Sequence, residues 1–360
     1  MILVVGAGIA GLAAAISLSR YGEVVVAERR SAVAANAGAG IQLAPNAVKA
    51  LRFIGAADAV DAVADTPDGL EVWSAGRRRP TTFAPYVDFP HLFGAPTLTA
   101  SRAGLHGALL SLAASNPSVS ILYDQPVGRV EGVAGGWEVA DVGTFSFVVA
   151  ADGVNSAVRA RVEGDHAQAI AQVAWRGSSG GDLPSSTRLS LSAGTHLVRY
   201  KLSDQTDNVV LVTPERLPHP SALSSRRIGA LIKDVSGWSP WPIRIFRRHR
   251  YGRGTLAYCG DAAHAMPPFL AQGGAMALED ASVLAAAVER EGLSPAAVDL
   301  YRAARLPRTK RLAAQTDRQG TIYHLPAPFS LARDMAMARL GPNAILRQVG
   351  WIYGWSPPGP

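Results

Sequence analysis

Two short apolar runs and the segment between them define the start of the chain. Residues 2–5 and 24–27 consist of isoleucine, leucine, valine and alanine, a composition typical of strands buried on both faces of a sheet. Residues 12–21 are rich in alanine and leucine, and Gly22 follows them as a helix stop signal. The pattern therefore predicts a strand, a glycine-rich turn, a helix and a second strand.

The rest of the chain divides into segments with a helical pattern and segments in which apolar and polar residues alternate. Residues 170–245 alternate, which predicts an antiparallel sheet. A long helix is expected from after Gly273 and Gly274 to about Glu291, and Ser294-Pro295 is typical of the start of another. Further helices are expected at 45–54 and 101–115, and further strands at 147–151 and 255–259.

The turn after the first strand has the sequence GAGIAG, at residues 6–11. Gly6 is expected to form the tight turn, Gly8 to let a pyrophosphate approach the backbone, and Gly11 to let the helix pack on the sheet. Glu28 ends the second strand, where an acidic residue accepts hydrogen bonds from ribose hydroxyls and repels a 2′-phosphate. A glycine-rich turn of another α/β protein is the alternative, but the strand, helix and acid together indicate a site for FAD or NAD.

Two later strands also end in polar motifs. Asp152 lies in ADGVNSAVR at 151–159, and Asp261 lies in GDAAHAMPPFLAQGGAMALED at 260–280. Each aspartate alone is typical of a turn or a helix cap. Ligands of open α/β sheets bind at the carboxyl ends of the strands, so the three strand ends together predict one ligand-binding edge.

Composition and charge limit the classes of protein that fit. The chain has 360 residues, 48% of them hydrophobic, which is enough for about two domains with a sizeable core. The net charge is +7, and 31 of the 35 basic residues are arginine, a balance compatible with nucleic acid, a membrane surface or small anions. No run of about 20 apolar residues predicts a membrane span. The single cysteine, Cys259, excludes an intramolecular disulfide and favours the cytoplasm.

Together the motifs resemble the class A flavoprotein monooxygenases, the single-component aromatic hydroxylases, and within them the salicylate hydroxylase and 6-hydroxynicotinate 3-monooxygenase group. The resemblance also includes GAGIQLAPNA at 38–47, Arg102 before a leucine-rich helix, WPIR at 241–244 and WIYGW at 351–355. It implies an α/β fold with a Rossmann-like FAD-binding domain, in which helices pack on a mixed sheet. A smaller antiparallel-sheet substrate domain and a C-terminal helical segment complete the implied fold.

The resemblance implies hydroxylation of a small aromatic or heteroaromatic ring, phenolic or carboxylated, by molecular oxygen through a flavin hydroperoxide. FAD is the implied cofactor, and NADH or NADPH is expected to bind only transiently because no second GxGxxG follows a strand. A monomer or homodimer without nucleic acid or integral membrane association is expected. The expected boundaries are 1–70, 101–168 and 246–325 for the discontinuous FAD-binding domain, 71–100 and 169–245 for the substrate domain, and 326–360 for the C-terminal segment.

The resemblance further implies which residues hold the cofactor. Arg102 would pair with the flavin ribityl or pyrophosphate region, Asp261 would bind the pyrophosphate–ribityl stretch, and Asp152 would serve both FAD and the nicotinamide donor. Backbone donors around Gln272 to Met276 would face the flavin pyrimidine edge, where the positive end of a helix stabilises the anionic reduced form. The full set expected is Gly6, Gly8, Ala10, Gly11, Glu28, Arg29, Gln42, Arg102, Val127, Asp152, Gly153, Arg159, Gly260, Asp261, Pro268, Gly273, Gly274, Ala275 and Met276.

Five residues are expected to act at the substrate: Pro268, Gln42, His196, Arg199 and Tyr200. Pro268 would lie against the flavin ring where oxygen reacts, and Gln42 stands where the hydroxynicotinate enzymes carry a histidine, which argues against that substrate. The other three share a predicted strand, and alternation of side chains prevents all of them from pointing into the pocket. If Arg199 points inward, it is placed to bind a carboxylate.

Other features favour simpler interpretations or rival functions. His264 is interpreted as a structural hydrogen-bonding residue, Cys259 as a core residue, and the basic residues of 302–311 as a solvated helix face. A flavin-dependent halogenase is a rival, but its motif has one residue between two tryptophans, whereas Trp238 and Trp241 are separated by two. An FAD-binding redox sensor without aromatic hydroxylation is the other alternative.

Overall fold

The computed structural model describes residues 1–31, 40–74, 79–181, 183–203, 205–223 and 226–359. Gly38 and Ala39, which open the GAGIQLAPNA segment, lie outside the described residues. The strands are β1 Ile2–Val5, β2 Val24–Ala27, β3 Gly40–Leu43, β4 Ala64–Asp65, β5 Gly69–Ser74, β6 Thr82–Pro85, β7 Leu98–Ser101, β8 Val119–Leu122, β9 Val130–Val133, β10 Gly136–Val139, β11 Gly143–Phe145, β12 Phe147–Ala150, β13 Gln168–Ser179, β14 Ser186–Ser192, β15 Thr195–Ser203, β16 Thr206–Pro214, β17 Ser236–Ile245, β18 Gly252–Arg253 and β19 Leu256–Tyr258. The helices are α1 Ile9–Leu18, α2 Pro45–Phe53, α3 Ala57–Asp61, α4 Phe89–Phe93, α5 Arg102–Ser115, α6 Ala157–Glu163, α7 Arg226–Leu231, α8 Asp261–His264, α9 Gly273–Glu291, α10 Pro295–Tyr323 and α11 Phe329–Tyr353, with 3-10 turns at Ser19–Tyr21, Pro220–Ala222 and Pro268–Leu270.

A six-stranded sheet carries the glycine-rich turn. Its strand order is β18-β19-β12-β1-β2-β8, and every neighbouring pair is parallel except β18 with β19. Strand β1 lies inside the sheet, and Ile2, Leu3 and Val4 are fully buried there, as strands covered on both faces require. Helix α1 packs against α5 and α9. The strand, turn and helix predicted for the start of the chain are confirmed.

A seven-stranded sheet takes its strands from residues 69–85 and 168–245, in the order β17-β13-β16-β15-β14-β5-β6. The antiparallel sheet predicted for residues 170–245 is confirmed, but the whole sheet also contains one parallel pair, β5 with β14. Strands β5 and β6 were not predicted, because prolines and polar residues interrupt the alternation between residues 70 and 100.

Two long helices close the fold beside these sheets. Helix α10 packs against α9, and α11 bends where Gly341 adopts a φ of 64° ahead of Pro342. Two three-stranded sheets, β11-β10-β9 and β3-β7-β4, complete the structure. The predicted fold class, an α/β Rossmann-like domain with a mainly antiparallel second sheet and C-terminal helices, is confirmed.

Candidate active site

Three strands of the six-stranded sheet end side by side. Strand β1 pairs in parallel with β12, and β12 pairs in parallel with β19, so their carboxyl ends meet at one edge. The chain continues from these ends into the turn at 6–11, into Asp152 and into Asp261. The structure therefore brings the three sequence motifs to one edge of the sheet.

The three glycines of the turn differ in what surrounds them. Gly6 has a φ of +98°, and a Cβ atom there would lie 2.8 Å from the carbonyl oxygen of Ala151. A Cβ on Gly11 would lie only 1.8 Å from the carbonyl oxygen of Gly6. A Cβ on Gly8 would meet nothing within 4 Å among the described residues. Two glycines are thus required by packing, whereas Gly8 opens onto free space at the amino end of α1.

Glu28 holds the backbone of this turn from the next strand. Its Oε2 accepts a hydrogen bond from the backbone N–H of Ala7 at 2.8 Å, and its Oε1 accepts one from Arg30 at 3.1 Å. Both oxygens keep a second lone pair for a ligand hydroxyl. Arg29 is exposed, and Val127 is buried in the hydrophobic core and does not line the cavity described below.

Asp152 follows β12 at this edge and has a buried carboxylate, but it does not line the cavity described below. Its Oδ2 accepts a hydrogen bond from the N–H of Val158 at 3.2 Å, whereas its Oδ1 has no hydrogen-bond partner among the described residues. Burial raises the pKa of Asp152. A buried acceptor without a partner is costly, so Oδ1 of Asp152 has an unmet need for a donor.

The Gly260–Asp261 turn is held from behind. Gly260 has a φ of +64°, and a Cβ there would lie 2.8 Å from Cβ of Ala10. Its N–H donates to Oδ2 of Asp280 at 2.9 Å, while the exposed Asp261 lines the cavity. Close contact with Ala10 explains why this position needs glycine.

Arg159 does not line the cavity, contrary to its expected role as a cofactor ligand. It is fully buried and donates to the carbonyl oxygens of Ala262 and Ala263 at 2.8 and 2.7 Å. It also forms an ion pair with Asp165 at 2.6 Å. These contacts consume the guanidinium, so Arg159 fastens α8 below the Asp261 turn.

A buried ion cluster lies beneath the same turn, formed by His264, Glu279, Asp280, Arg305 and Arg308. Arg305 contacts Glu279 and Asp280, each at 2.6 Å, and Arg308 contacts Glu279 at 2.6 Å. His264 contacts Asp280 at 2.6 Å and is 1% exposed. Burial alone would lower the pKa of Arg305, but the two carboxylates hold it well above its usual value. His264 thus has a structural partner, and it lies outside the cavity lining.

Helix α9 directs its amino end at the cavity. Gly273 and Gly274 line the cavity, and the first three N–H groups of a helix lack partners within it. The N–H of Met276 donates to the carbonyl oxygen of Gln272 at 2.8 Å. Contrary to the expectation, this N–H is therefore not available to a ligand. Ala275 and Met276 are fully buried behind the lining. The helix-end donors that face the cavity are therefore those of Gly273 and Gly274.

One continuous cavity of about 780 Å³ joins the strand edge to one face of the seven-stranded sheet. That face is largely apolar and includes Leu189, Val198 and Val212. Helices α10 and α11 form the opposite wall. Of the expected site residues, those that line the cavity are Gly8, Ala10, Gln42, Arg102, Gly153, His196, Tyr200, Asp261, Pro268, Gly273 and Gly274.

Strand β15 divides its side chains between two environments. His196, Val198 and Tyr200 face the cavity, and both polar side chains are at most 4% exposed. Arg199 lies on the other face, where it donates to the carbonyl oxygen of Leu231 and to Oγ of Ser179, both at 2.9 Å. The structure therefore corrects the suggestion that Arg199 binds a substrate carboxylate.

Several residues that line the cavity were not predicted from the sequence. Arg176 of β13 lines the cavity, where burial and then the charge of Arg102 lower its pKa. Tyr323 of α10 and Arg333 of α11 line the opposite wall. The alternation of β13 was a usable signal for Arg176, but no local pattern indicates that α10 and α11 cover this cavity.

Three polar side chains extend from the cavity toward the outside of the protein. Nδ1 of His196 lies 2.9 Å from Nε2 of His324, and Nδ1 of His324 lies 3.0 Å from Nε2 of Gln172. Burial, and then the neighbouring His324, lowers the pKa of His196 to about 3. Burial lowers the pKa of His324 to about 4. The histidine pair is therefore uncharged near neutral pH.

We expect the free energy of unfolding to fall as the pH drops below about 6.5. His196, His324 and His249 have lowered pKa values in the folded protein, that of His249 being about 4, so the unfolded chain binds more protons in this range. Each contributes a slope of about 1.4 kcal/mol per pH unit between its folded and unfolded pKa values. Urea unfolding between about pH 7 and pH 5 measures this slope. His249→Gln should reduce this slope by the contribution of one histidine, whereas His91→Gln, at an exposed position, should leave the slope unchanged. Equal slopes in both variants contradict the prediction.

The comparisons with known proteins agree with this geometry. A family model described as an FAD binding domain matches residues 1–227 and 198–316. The chain is 32% identical to 3-amino-4-hydroxybenzoate 2-monooxygenase PtmB3 of Streptomyces platensis, over 98% of this chain and 96% of the relative. It is 28% identical to 3-hydroxybenzoate 6-hydroxylase of Klebsiella oxytoca, with the same coverage. Klebsiella pneumoniae HpxO, solved with FAD and uric acid, matches with a TM-score of 0.88 at 23% identity, over 98% of this chain and 96% of that one.

Among the described residues, no helix is long and apolar enough to cross a membrane.

Proposed function

The chain belongs to the FAD-binding-domain family and is an FAD-dependent aromatic monooxygenase, and on that premise we propose that it hydroxylates a small aromatic ring bearing a hydroxyl group. NADH or NADPH serves as the electron donor and molecular oxygen as the oxidant. The observation that carries the proposal is a continuous cavity of about 780 Å³, which joins the cofactor edge to an apolar chamber. A ring held in that chamber would share one enclosed space with FAD bound at the strand edge.

The residues at the strand edge fit FAD. The open space at Gly8 and the amino end of α1 suit a pyrophosphate, and Glu28 suits the ribose hydroxyls. The unpartnered Oδ1 of Asp152 suits a donor group of the cofactor, as does the exposed carboxylate of Asp261. When bound, FAD supplies electron transfer from the nicotinamide donor and the activation of oxygen.

The chamber side chains orient the ring and hold its proton. Tyr200 keeps its phenolic proton because burial raises its pKa, so it donates a hydrogen bond at the β15 wall. His196 accepts the proton of the substrate hydroxyl at Nε2, and loss of that proton increases the electron density of the ring. Pro268 and the amino end of α9 line the cavity and would border the space between the ring and FAD. The apolar chamber walls exclude water from it.

The surroundings of the enzyme are part of the same proposal. A cytoplasmic location is supported by Cys259, the single cysteine, which is fully buried and whose thiol has a pKa raised well above its usual value by burial. A monomer or homodimer is the assembly that we propose.

A substrate panel tests the proposal. Hydroxybenzoates, aminobenzoates and hydroxypyridine carboxylates are added to the FAD-loaded protein with NADH or NADPH. We expect at least one phenolic compound to accelerate oxidation of the donor and to gain one atom of labelled oxygen. If the protein retains FAD and yet no compound accelerates donor oxidation or gains oxygen, the hydroxylase proposal fails and an FAD-binding redox protein is favoured.

A further inference from the structure

The chain of side chains that starts at His196 reaches from the cavity interior to the boundary of the protein. His196 is 3% exposed, whereas His324 and Gln172 are half-buried. The two imidazole rings are 5.0 Å apart between centroids and 36° from coplanar. His324 belongs to no substrate-facing strand; it caps the carboxyl end of α10, at the junction with α11. These three side chains thus form a polar connection from the chamber outward.

We propose that His324 and Gln172 form, with His196, a relay that carries the proton of the substrate hydroxyl from the chamber to solvent. The proposal rests on the proposed function. The O–H bond of the substrate breaks, and its proton binds Nε2 of His196. The proton on Nδ1 of His196 passes to Nε2 of His324, and the proton on Nδ1 of His324 leaves to solvent beside Gln172. The substrate keeps the electron pair as a phenolate, and nothing is oxidised or reduced.

The orientation of the Gln172 amide determines which tautomer each of the two histidines adopts. A neutral imidazole carries one proton, so the tautomer of one ring fixes that of the other through the 2.9 Å contact. When the amide oxygen of Gln172 accepts from Nδ1 of His324, Nε2 of His196 is unprotonated and accepts the substrate proton. When the amide nitrogen donates instead, Nε2 of His196 carries a proton and donates it into the chamber.

Both arrangements use the same contacts. Nε2 of Gln172 lies 3.0 Å from Nδ1 of His324, close enough for either end of the amide to bond this nitrogen after rotation. An N–H at Nε2 of His196 complements a substrate oxygen that has lost its proton. Rotation of the Gln172 amide therefore returns the relay to the accepting arrangement.

A relay is needed because neither histidine holds a positive charge in this environment. Burial lowers the pKa values of His196 and His324 to about 3 and about 4. The ionisable groups around the pair are Tyr323 of α10 and Arg333 of α11, which is itself paired with Asp334 at 2.7 Å. Uncharged residues face the pair from the other elements, namely Gln172 of β13, Val212 of β16 and Phe269 of the 3-10 turn. His196 that accepts a proton at Nε2 therefore passes its Nδ1 proton to His324 and does not remain positively charged.

The test follows a proton without requiring turnover. The FAD-loaded protein is mixed with 4-nitrophenol, whose ionisation is visible, while a pH-indicator dye records protons that reach solvent. In wild type we expect ionisation on binding with prompt proton release. His324→Phe keeps an aromatic ring but has no nitrogen, and it should slow release about 100-fold, the lower part of the usual range for a positioned base. Gln172→Glu, which only accepts from His324, should preserve ionisation, whereas Gln172→Leu should impair it.

Controls separate the relay from a packing role. His166→Phe, at an exposed position, should behave as wild type. For His324→Ala, added imidazole should restore proton release, which a purely structural defect would not show. Unchanged ionisation and release in His324→Phe overturn the relay. If 4-nitrophenol does not bind, the pH profile of donor oxidation with an active panel compound makes the same comparison. If the wild-type protein hydroxylates a compound and His324→Phe releases protons at the wild-type rate, the relay alone is wrong. If protons are released but no compound of the panel is hydroxylated, the proposed function is wrong.

Discussion

Gly11→Ala is expected to destabilise the folded chain by about 3 kcal/mol or more and to abolish FAD retention. The added Cβ would lie 1.8 Å from the carbonyl oxygen of Gly6, which is backbone and cannot rotate away. Relief requires α1 to move off β1, and both elements belong to the largest hydrophobic core of the protein. Urea unfolding of the apoprotein and the flavin content of the purified protein measure the two effects.

Gly8→Ala is the matched control within the same turn. Gly8 has a φ of −76°, which alanine adopts freely, and its Cβ would meet nothing within 4 Å among the described residues. The apoprotein should therefore keep wild-type stability within about 0.5 kcal/mol. FAD affinity should nevertheless fall by about tenfold or more, since the methyl group occupies the space assigned to the pyrophosphate. Equal stability losses in the two variants would refute the packing argument, and wild-type FAD affinity in Gly8→Ala would refute the assignment of the cradle.

Arg305→Leu is expected to cost about 3–5 kcal/mol of unfolding free energy, because it removes the cation shared by two buried carboxylates, Glu279 and Asp280. Arg305 is 1% exposed and contacts Glu279 and Asp280, which are both fully buried. Asp280 also accepts the hydrogen bond from Gly260, so loss of the cluster should loosen the Asp261 turn and weaken FAD binding as well. Urea unfolding and FAD titration of the same preparation measure both effects.

Arg302→Leu provides the comparison on the same helix. Arg302 forms an exposed ion pair with Asp299 at 2.8 Å, three residues earlier on α10. Such surface pairs contribute about 0–1 kcal/mol, so this variant should unfold almost as wild type does. A similar loss in both variants would mean that helix propensity or overall charge, rather than the buried ion cluster, determines the effect.

Sequence reasoning succeeded where a local pattern determines the structure. The apolar runs at 2–5 and 24–27 and the glycines between them are sufficient to predict the first strand–turn–helix unit, because each signal lies within a few residues of the next. The common ligand edge followed from a general property of parallel strands, with Asp152 and Asp261 directly after theirs.

It failed where a side chain's role depends on distant partners. Alternation separates Arg199 from His196 and Tyr200 but does not say which set faces inward, since that depends on where α10 and α11 pack. The guanidinium of Arg159 is occupied by carbonyl groups about a hundred positions away, which no local pattern indicates. The contact between Gln172 and His324 joins a strand to a helix end in the same way.

The pairing of β1 also determines when the protein can fold. Ile2 pairs with Phe147, and Val148 pairs with Leu256, so the middle of the six-stranded sheet joins segments that are far apart along the chain. Such high contact order slows folding. Until the partner strands are made, the unpaired edges of β1 and β12 are prone to aggregation. During synthesis the glycine-rich turn leaves the ribosome before Asp152 and Asp261, and the ligand edge is complete only after residue 258. The cofactor turn is thus made long before the strands that complete its site.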